Sequence, residues 1–232
     1  MKIYYDLHIH SALSPCGDED MTPNNIVNMA CLLGLDMIAV TDHNSAANVR
    51  AVQKAAEGKI KVVPGIEVTT MEEVHTLCYF PDADSAEDMG NLLKKHIGNI
   101  KNRPDIFGRQ LVVDEDDVVL GEEELLLISA VNLSIYDIQK ETKLRGGIFV
   151  PAHIDRSSYS ILSNLGFLPP DLPVDGIEIT GGADKELKET YKDYGILTSS
   201  DAHYLGDISE RENFFETNNK MTQNLFEFLC KF

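Results

Sequence analysis

Positive charge is what this 232-residue sequence most lacks: 20 lysines and arginines stand against 38 aspartates and glutamates, a formal net charge of -18 at pH 7. No Lys/Arg run forms a basic patch. Such a balance argues against a polynucleotide or an anionic membrane surface as partner, and plain solubility accounts for the acidity. Cysteine is also sparse. Cys16, Cys31, Cys78 and Cys230 include no CxxC pair, and their spacing is unlike a disulfide framework. No apolar run approaches the roughly 20 residues that span a bilayer. Charge and histidine interrupt the first ten residues, so no secretory signal is expected there. Together these absences point to a reducing, cytoplasmic setting.

What remains is a globular composition, 43% hydrophobic and 25% charged. The length suits one domain over residues 1–232 with a sizeable core. Short apolar runs alternate with amphipathic stretches. "KIYYDL", "DMIAVTD", "KVVPGIEVTT" and "EVHTLCYF" read as the first four strands. "GGIFVPAHID", "VDGIEIT" and "GILTSSDAH" are similar runs near the end. The first helix is framed by Thr22 as N-cap, Pro23 at the first helical position and Gly34 as stop. "AANVRAVQKAAEG", ending at Gly58, and "ADKELKETYKDYG" are further helical patterns. Strand then helix, repeated, implies parallel strands with crossover helices. Residues from about 82 to 146 are less regular. They read as an elaboration of the same domain, with a helix and an acidic stretch, "DEDDVVLGEEELLL", around a short hairpin.

Polar residues gather where the apolar runs stop. The first run closes on Asp6, His8 and His10, the second on Asp42 and His43, the third on Glu67. The fourth opens with His75. Later runs close on His153 and Asp155, and on Asp201 and His203. Six of the seven histidines therefore lie at strand ends, each near a carboxylate; His96, in a lysine-bearing helical stretch, reads as a surface residue. In a parallel α/β barrel the C-terminal strand ends converge on one mouth. Mixed imidazole and carboxylate donors suit Zn, Mn or Fe. The donors outnumber what one tetrahedral ion needs, which points to a bridged site with Glu67 as the bridge. Two ions ~3.5–4 Å apart can clamp a phosphoryl group and generate hydroxide from water. Each motif alone has an ordinary explanation: a satisfied core histidine for HxH, a helix cap for Asp42, a strand-end ion pair between Asp155 and Arg156. Recurrence at six strand ends is what coincidence handles badly.

Four motifs in order, "DLHIHS", "TDH", "GIE" followed by His75, and "HID" followed by "SDAH", resemble the PHP (polymerase and histidinol phosphatase) family from about residue 3 to about residue 208. The resemblance implies a distorted (β/α)7 TIM-like barrel with two or three divalent metal ions at its mouth. His8, His10, Glu67 and Asp201 resemble ligands of the first ion. Glu67 would bridge to a second, joined by His75 and His153. His43 and His203 resemble ligands of a third. Family members usually add a His or Asp shortly after the HxH, and here the nearest position is Cys16, with Asp18 or Asp20 as substitutes.

The activity expected is hydrolysis of a phosphate ester of a small metabolite or nucleotide, by a metal-activated water attacking phosphorus. Arg156 is the candidate guanidinium for the phosphate oxygens, through its two-pronged fork. Asp42, His203 or a water on the third ion would supply a proton to the leaving group, and Asp6 would orient a ligand imidazole. A metal-dependent nuclease and a metal-binding module without turnover are the rival readings. An amidohydrolase-like use is disfavoured, because no lysine near the strand ends offers a bridging carbamate. "TGGAD", residues 180–184, reads as a tight turn. Nothing in the sequence sets an oligomeric state.

Overall fold

A computed structural model of the chain describes residues 2–183, 185–216 and 227. Cys230 and Asp184 lie outside the described residues. Ten strands are present among the described residues: β1 (Lys2–Ile9), β2 (Met37–Val40), β3 (Lys61–Thr69), β4 (His75–Tyr79), β5 (Leu111–Val113), β6 (Val119–Glu122), β7 (Ile148–Pro151), β8 (Ile177–Glu178), β9 (Ile196–Leu197) and β10 (Phe214–Glu216). The helices are α1 (Pro23–Leu33), α2 (Val49–Ala55), α3 (Ala83–His96), α4 (Pro104–Phe107), α5 (Ile135–Leu144), α6 (Ile161–Leu165) and α7 (Lys185–Thr190). None is long and apolar enough to cross a membrane.

Six strands form one curled sheet in the order β10-β1-β2-β3-β4-β7, and β8 pairs with β9 beside it. The expected parallel arrangement holds for β1, β2 and β3, and for β8 with β9. It fails at β4, which runs antiparallel to both β3 and β7, and at β10, antiparallel to β1. The reason is chain length: only residues 70–74 separate β3 from β4, whereas a parallel crossover needs about a dozen residues or more. Backbone hydrogen bonds continue past the strand ends. The Ile154 N–H donates to the Glu178 carbonyl at 2.9 Å, and the His10 N–H to the Ala202 carbonyl at 2.9 Å.

The sheet has two apolar faces, as a sheet covered by helices must. Inside its curl, Tyr5, Leu7, Met37, Ala39, Leu77 and Val150 pack together with Leu197. Outside, Ile9 of β1 packs with Ile26 and Val27 of α1 and Val52 of α2. Tyr5 and Leu7 thus face in and Ile9 faces out. The β1–β2 register shifts between Asp6 and Ile9. Such an irregularity re-aims the side chains that follow it. It separates Asp6 from His8 and His10, which simple alternation would have placed on one face.

Thr22 is the extended N-cap residue of α1, Pro23 opens the helix and Gly34 closes it in the left-handed region at φ 75°. The Thr22 hydroxyl makes no capping bond, so Pro23 and Gly34 carry the boundary signal. The elaboration contains α3, the β5–β6 hairpin and α5, whose Ser134 and Asp137 form a reciprocal capping box. The described part of "TGGAD", residues 180–183, is a turn: the Ala183 N–H donates to the Thr180 carbonyl at 3.1 Å.

Candidate metal centre

Glu67 sits at the centre of five imidazoles. Its Oε1 lies 2.9 Å from His75 Nδ1, 3.2 Å from His153 Nε2 and 3.3 Å from His8 Nε2. Its Oε2 lies 3.0 Å from His43 Nδ1 and 3.4 Å from His10 Nε2. Asp201 Oδ1 is 3.0 Å from His10 Nε2 and 3.2 Å from His8 Nε2. The His203 ring stacks on that of His10 with centroids 4.2 Å apart. Three groups of converging ligand atoms result among the described residues: His8, His10, Glu67 and Asp201; His43, Glu67 and His75; His10, His43 and His203. The reversal of β4 is what brings His75 to this end, because its N-terminus lies opposite the C-terminus of β3 at the Thr69–His75 pair.

Hydrogen bonding alone does not satisfy this arrangement. His43 Nδ1 and Glu67 Oε2 are close but lack a hydrogen-bond partner, as do His75 Nε2 and His153 Nδ1, all buried. Two ring nitrogens, His8 Nε2 and His10 Nε2, face each other at 3.2 Å. Buried polar atoms without partners are costly. Divalent cations would answer His43 Nδ1, Glu67 Oε2 and the facing His8 and His10 nitrogens, and the nitrogen and oxygen donor set fits Zn, Mn or Fe.

Electrostatics sharpens the picture. Burial would raise the Glu67 carboxyl, but His75, His8 and His43 hold it well below its ordinary value. Burial acts the same way on Asp201, and His8 and His10 outweigh it. Burial pulls the His10 imidazolium down, yet Asp201 and Glu67 push it up to about 9. His8 is likewise raised against burial, by Asp201, Glu178 and Glu67. Burial wins for His43, pulled down to about 3, and for His203, pulled down to about 4. A cation entering the cluster would displace the protons held on His8 and His10.

Backbone strain gathers at the same place. Asn44, His153, Tyr159 and Asp201 are non-glycine residues with φ of 50°, 27°, 55° and 54°. Such conformations cost on the order of 1–3 kcal/mol each and cluster at functional sites.

Not every candidate from the sequence joins the cluster. Asp42 is fully buried, and its carboxylate accepts from the Ser11 N–H and from the Ser11 and Ser14 hydroxyls at 2.6–2.7 Å. It reaches His10 only through Ser14, whose Oγ is 2.8 Å from His10 Nδ1. Asp6 accepts from the backbone N–H groups of His8, Ser200 and Ser209 and from no imidazole. The ring partner of His8 is instead Glu178, 3.0 Å from His8 Nδ1 and 2% exposed. Glu178, Ser14 and Tyr159 were not singled out by sequence reasoning. Glu178 had a visible signal, a carboxylate closing the run "VDGIE". Tyr159 stacks on the His75 ring at 4.9 Å and accepts the His75 backbone N–H.

Arg156 pairs with Asp201 Oδ2 at 2.5 Å, not with Asp155, which accepts from the Thr180 N–H and hydroxyl. Its side chain is 43% exposed at the mouth. Cys16, Asp18 and Asp20 belong to none of the three converging groups. Cys16 is an exposed residue, yet shielding of its thiol from water, with Glu67 and Asp201 nearby, pushes the thiol up to about 12, which opposes the thiolate a metal needs. His96 ends α3, away from the cluster.

The sequence matches the PHP domain family over residues 6–142. It is 30% identical over 78 residues to the 5'-3' exoribonuclease Rnm of Salmonella typhimurium, covering 32% of this chain and 26% of that one. It is 24% identical over 247 residues to the uncharacterized protein YqxK of Bacillus subtilis, covering 91% of this chain and 58% of that one. This chain thus spans less than two thirds of either relative. Among solved structures, a lesion-specific endonuclease of Pyrococcus furiosus superposes with a TM-score of 0.71 at 20% identity, over 98% of this chain and 55% of that one. A Bifidobacterium adolescentis protein provisionally named a metal-dependent phosphoesterase gives 0.66 at 20% identity, over 97% and 95%. At these identities the two structures speak for the fold. Two of the four relatives are named for action on RNA or DNA. The expectation that net charge argues against a polynucleotide finds no support among them. Total charge does not fix the field at a mouth that gathers cations.

Proposed function

Because the chain belongs to the PHP domain family, we propose that it is a metal-dependent hydrolase of phosphate esters. The observation that carries this reading is the single buried carboxylate of Glu67 within 2.9–3.4 Å of five imidazoles. His8, His10, Glu67 and Asp201 would hold one ion. Glu67, His75 and His153 would hold a second, and His43 and His203 a third, with Cys16 outside the set. Bound there, such ions polarise a phosphoryl oxygen and lower the pKa of water toward neutrality.

The chain's own residues supply binding and orientation. Arg156, half-exposed beside Asp201, offers its free guanidinium edge to phosphate oxygens. His203 Nδ1 is 2.8 Å from the Asp201 carbonyl, which can only accept, so Nδ1 carries the proton and Nε2 keeps its lone pair. That suits a ligand better than a proton donor. Asp42, locked by two serines, acts from behind the site and does not face the leaving group. The leaving group then takes its proton from solvent at the mouth. The hydrogen bonds joining β7 to β8 and β1 to Ala202 support reading sheet and pair as one distorted (β/α)7 barrel in a single domain over residues 1–232.

A small phosphorylated metabolite or nucleotide is the substrate class we propose. The second reading, a nuclease, is favoured by the exoribonuclease Rnm and the lesion-specific endonuclease among the relatives. Hydrolysis of p-nitrophenyl phosphate with added Mn tests the common chemistry, and a 5'-phosphorylated oligoribonucleotide tests the second reading beside it. His10→Ala and Glu67→Ala are expected to lose bound metal and at least ~100-fold in turnover together, the scale on which removing a metal-centred electrostatic contribution acts. Turnover retained in both variants overturns the proposal.

A further inference from the structure

Glu178 holds two parts of the cluster at once. Its carboxylate lies 3.0 and 3.2 Å from His8 Nδ1, and Oε2 also accepts the His153 backbone N–H at 3.0 Å. Its own carbonyl accepts the Ile154 N–H at 2.9 Å. The end of β8 therefore grips the chain just past β7 at two consecutive residues, and grips β1 through an imidazole. His153 is the residue so held, and its φ of 27° is one that non-glycine residues rarely adopt. Glu178 is only 2% exposed, so water does not compete for these bonds.

We infer that Glu178 is the positioning residue of the metal centre: it fixes His8 with its proton on Nδ1, freeing Nε2 for an ion, and sets the backbone angle that aims His153. His8 and His153 belong to different ions in the ligand sets proposed above, so one buried carboxylate ties the two positions together. Glu178 plays this part only if the cluster binds ions as proposed. The chemistry is that of an acceptor behind a ligand imidazole, which fixes the tautomer and raises ligand basicity. An amide in its place removes that bias. The side-chain amide introduced by Glu178→Gln can donate to His8 Nδ1, which allows a ring with its proton on Nε2, the wrong nitrogen for binding.

The test uses zinc-loaded full-length protein with 15N-labelled histidine. In the wild type the His8 ring is expected to show a proton on Nδ1 and none on Nε2. Glu178→Gln is expected to bind zinc ~10–100-fold more weakly, the range for lost partners behind metal ligands, and to populate the Nε2-protonated ring. Zinc affinity within threefold of wild type, with the Nδ1 proton retained, overturns the inference. So does a wild-type His8 that carries no Nδ1 proton, a result that stands even if the variant fails to fold. Neither readout involves turnover. A wild type that binds zinc through a correctly protonated His8 yet hydrolyses no phosphate ester would overturn the proposed function and leave the role of Glu178 intact.

Discussion

At the scale of single residues, the two histidines of "DLHIHS" are served differently. His8 leans on Glu178 directly; His10 leans on Ser14, and through it on Asp42. Both are buried, and both hold their protons more tightly than usual in the ion-free cluster, His10 up to about 9. Their folded-state values lie above the ordinary 6.5, so the stability they contribute is complete below about pH 6.5 and lost as pH rises toward 9. His43 and His203 run the other way, down to about 3 and about 4, so their contribution is present above 6.5 and lost as pH falls. The contribution of these four histidines to the thermal midpoint of metal-free protein is therefore expected to be greatest near pH 6.5, while Asp6 and Asp42, raised by burial, contribute less as pH rises; a midpoint still climbing from pH 7 to pH 9 contradicts this. Arg156 calls for a different measurement. Arg156→Ala is expected to raise KM for a phosphate ester about 10-fold or more, since charge-assisted hydrogen bonds contribute roughly 1.5–3 kcal/mol, with metal content unchanged. Lost metal would assign Arg156 to holding Asp201 instead. These ligand types were legible in the sequence because imidazoles and carboxylates recurred where apolar runs ended. Ser14 was not, because a serine four residues beyond His10 has no distinguishing pattern.

At the scale of elements, the site depends on two departures from regular alternation. The register shift in β1 turns Asp6 toward Ser200 and Ser209 and leaves His8 and His10 facing Glu67. Sequence shows the residues of β1 but not the shift, which arises from pairing with β2. The reversal of β4 was readable, because five residues between two strands are too few for a crossover. Reading strand and helix as a simple repeat obscured it. The elaboration is tied to the site by Asn48, fully buried, whose amide donates to Ser11 Oγ and the Leu111 carbonyl and accepts the Val113 N–H, each at 3.0 Å. Asn48→Ala would remove the side-chain partner of the Leu111 carbonyl and of the Val113 N–H. About 2–3 kcal/mol of stability is expected to be lost in urea unfolding; a loss under about 0.5 kcal/mol would mean that the hairpin is not anchored there.

At the scale of the whole molecule, a net charge of -18 surrounds a mouth built to gather cations. Such a field draws divalent ions in and keeps other anions at a distance until the ions are bound. The α/β class was legible as strand–helix alternation, but the six-stranded sheet with a separate β8–β9 pair was not; the candidate site was legible as strand ends that converge, although those ends are spread from residue 8 to residue 203. Substrate identity was not legible, because no motif in the irregular region between 82 and 146 or at the strand ends selects one. The proposed function depends on Glu67 serving more than one ion. The direct measurement is metal content after equilibrium dialysis of wild type and Glu67→Gln against Mn or Zn. The expected result is about two or more ions per wild-type chain and at most one for the variant, following loss of a bridging carboxylate. A wild type that retains no ions, or a variant that retains as many as the wild type, contradicts the account.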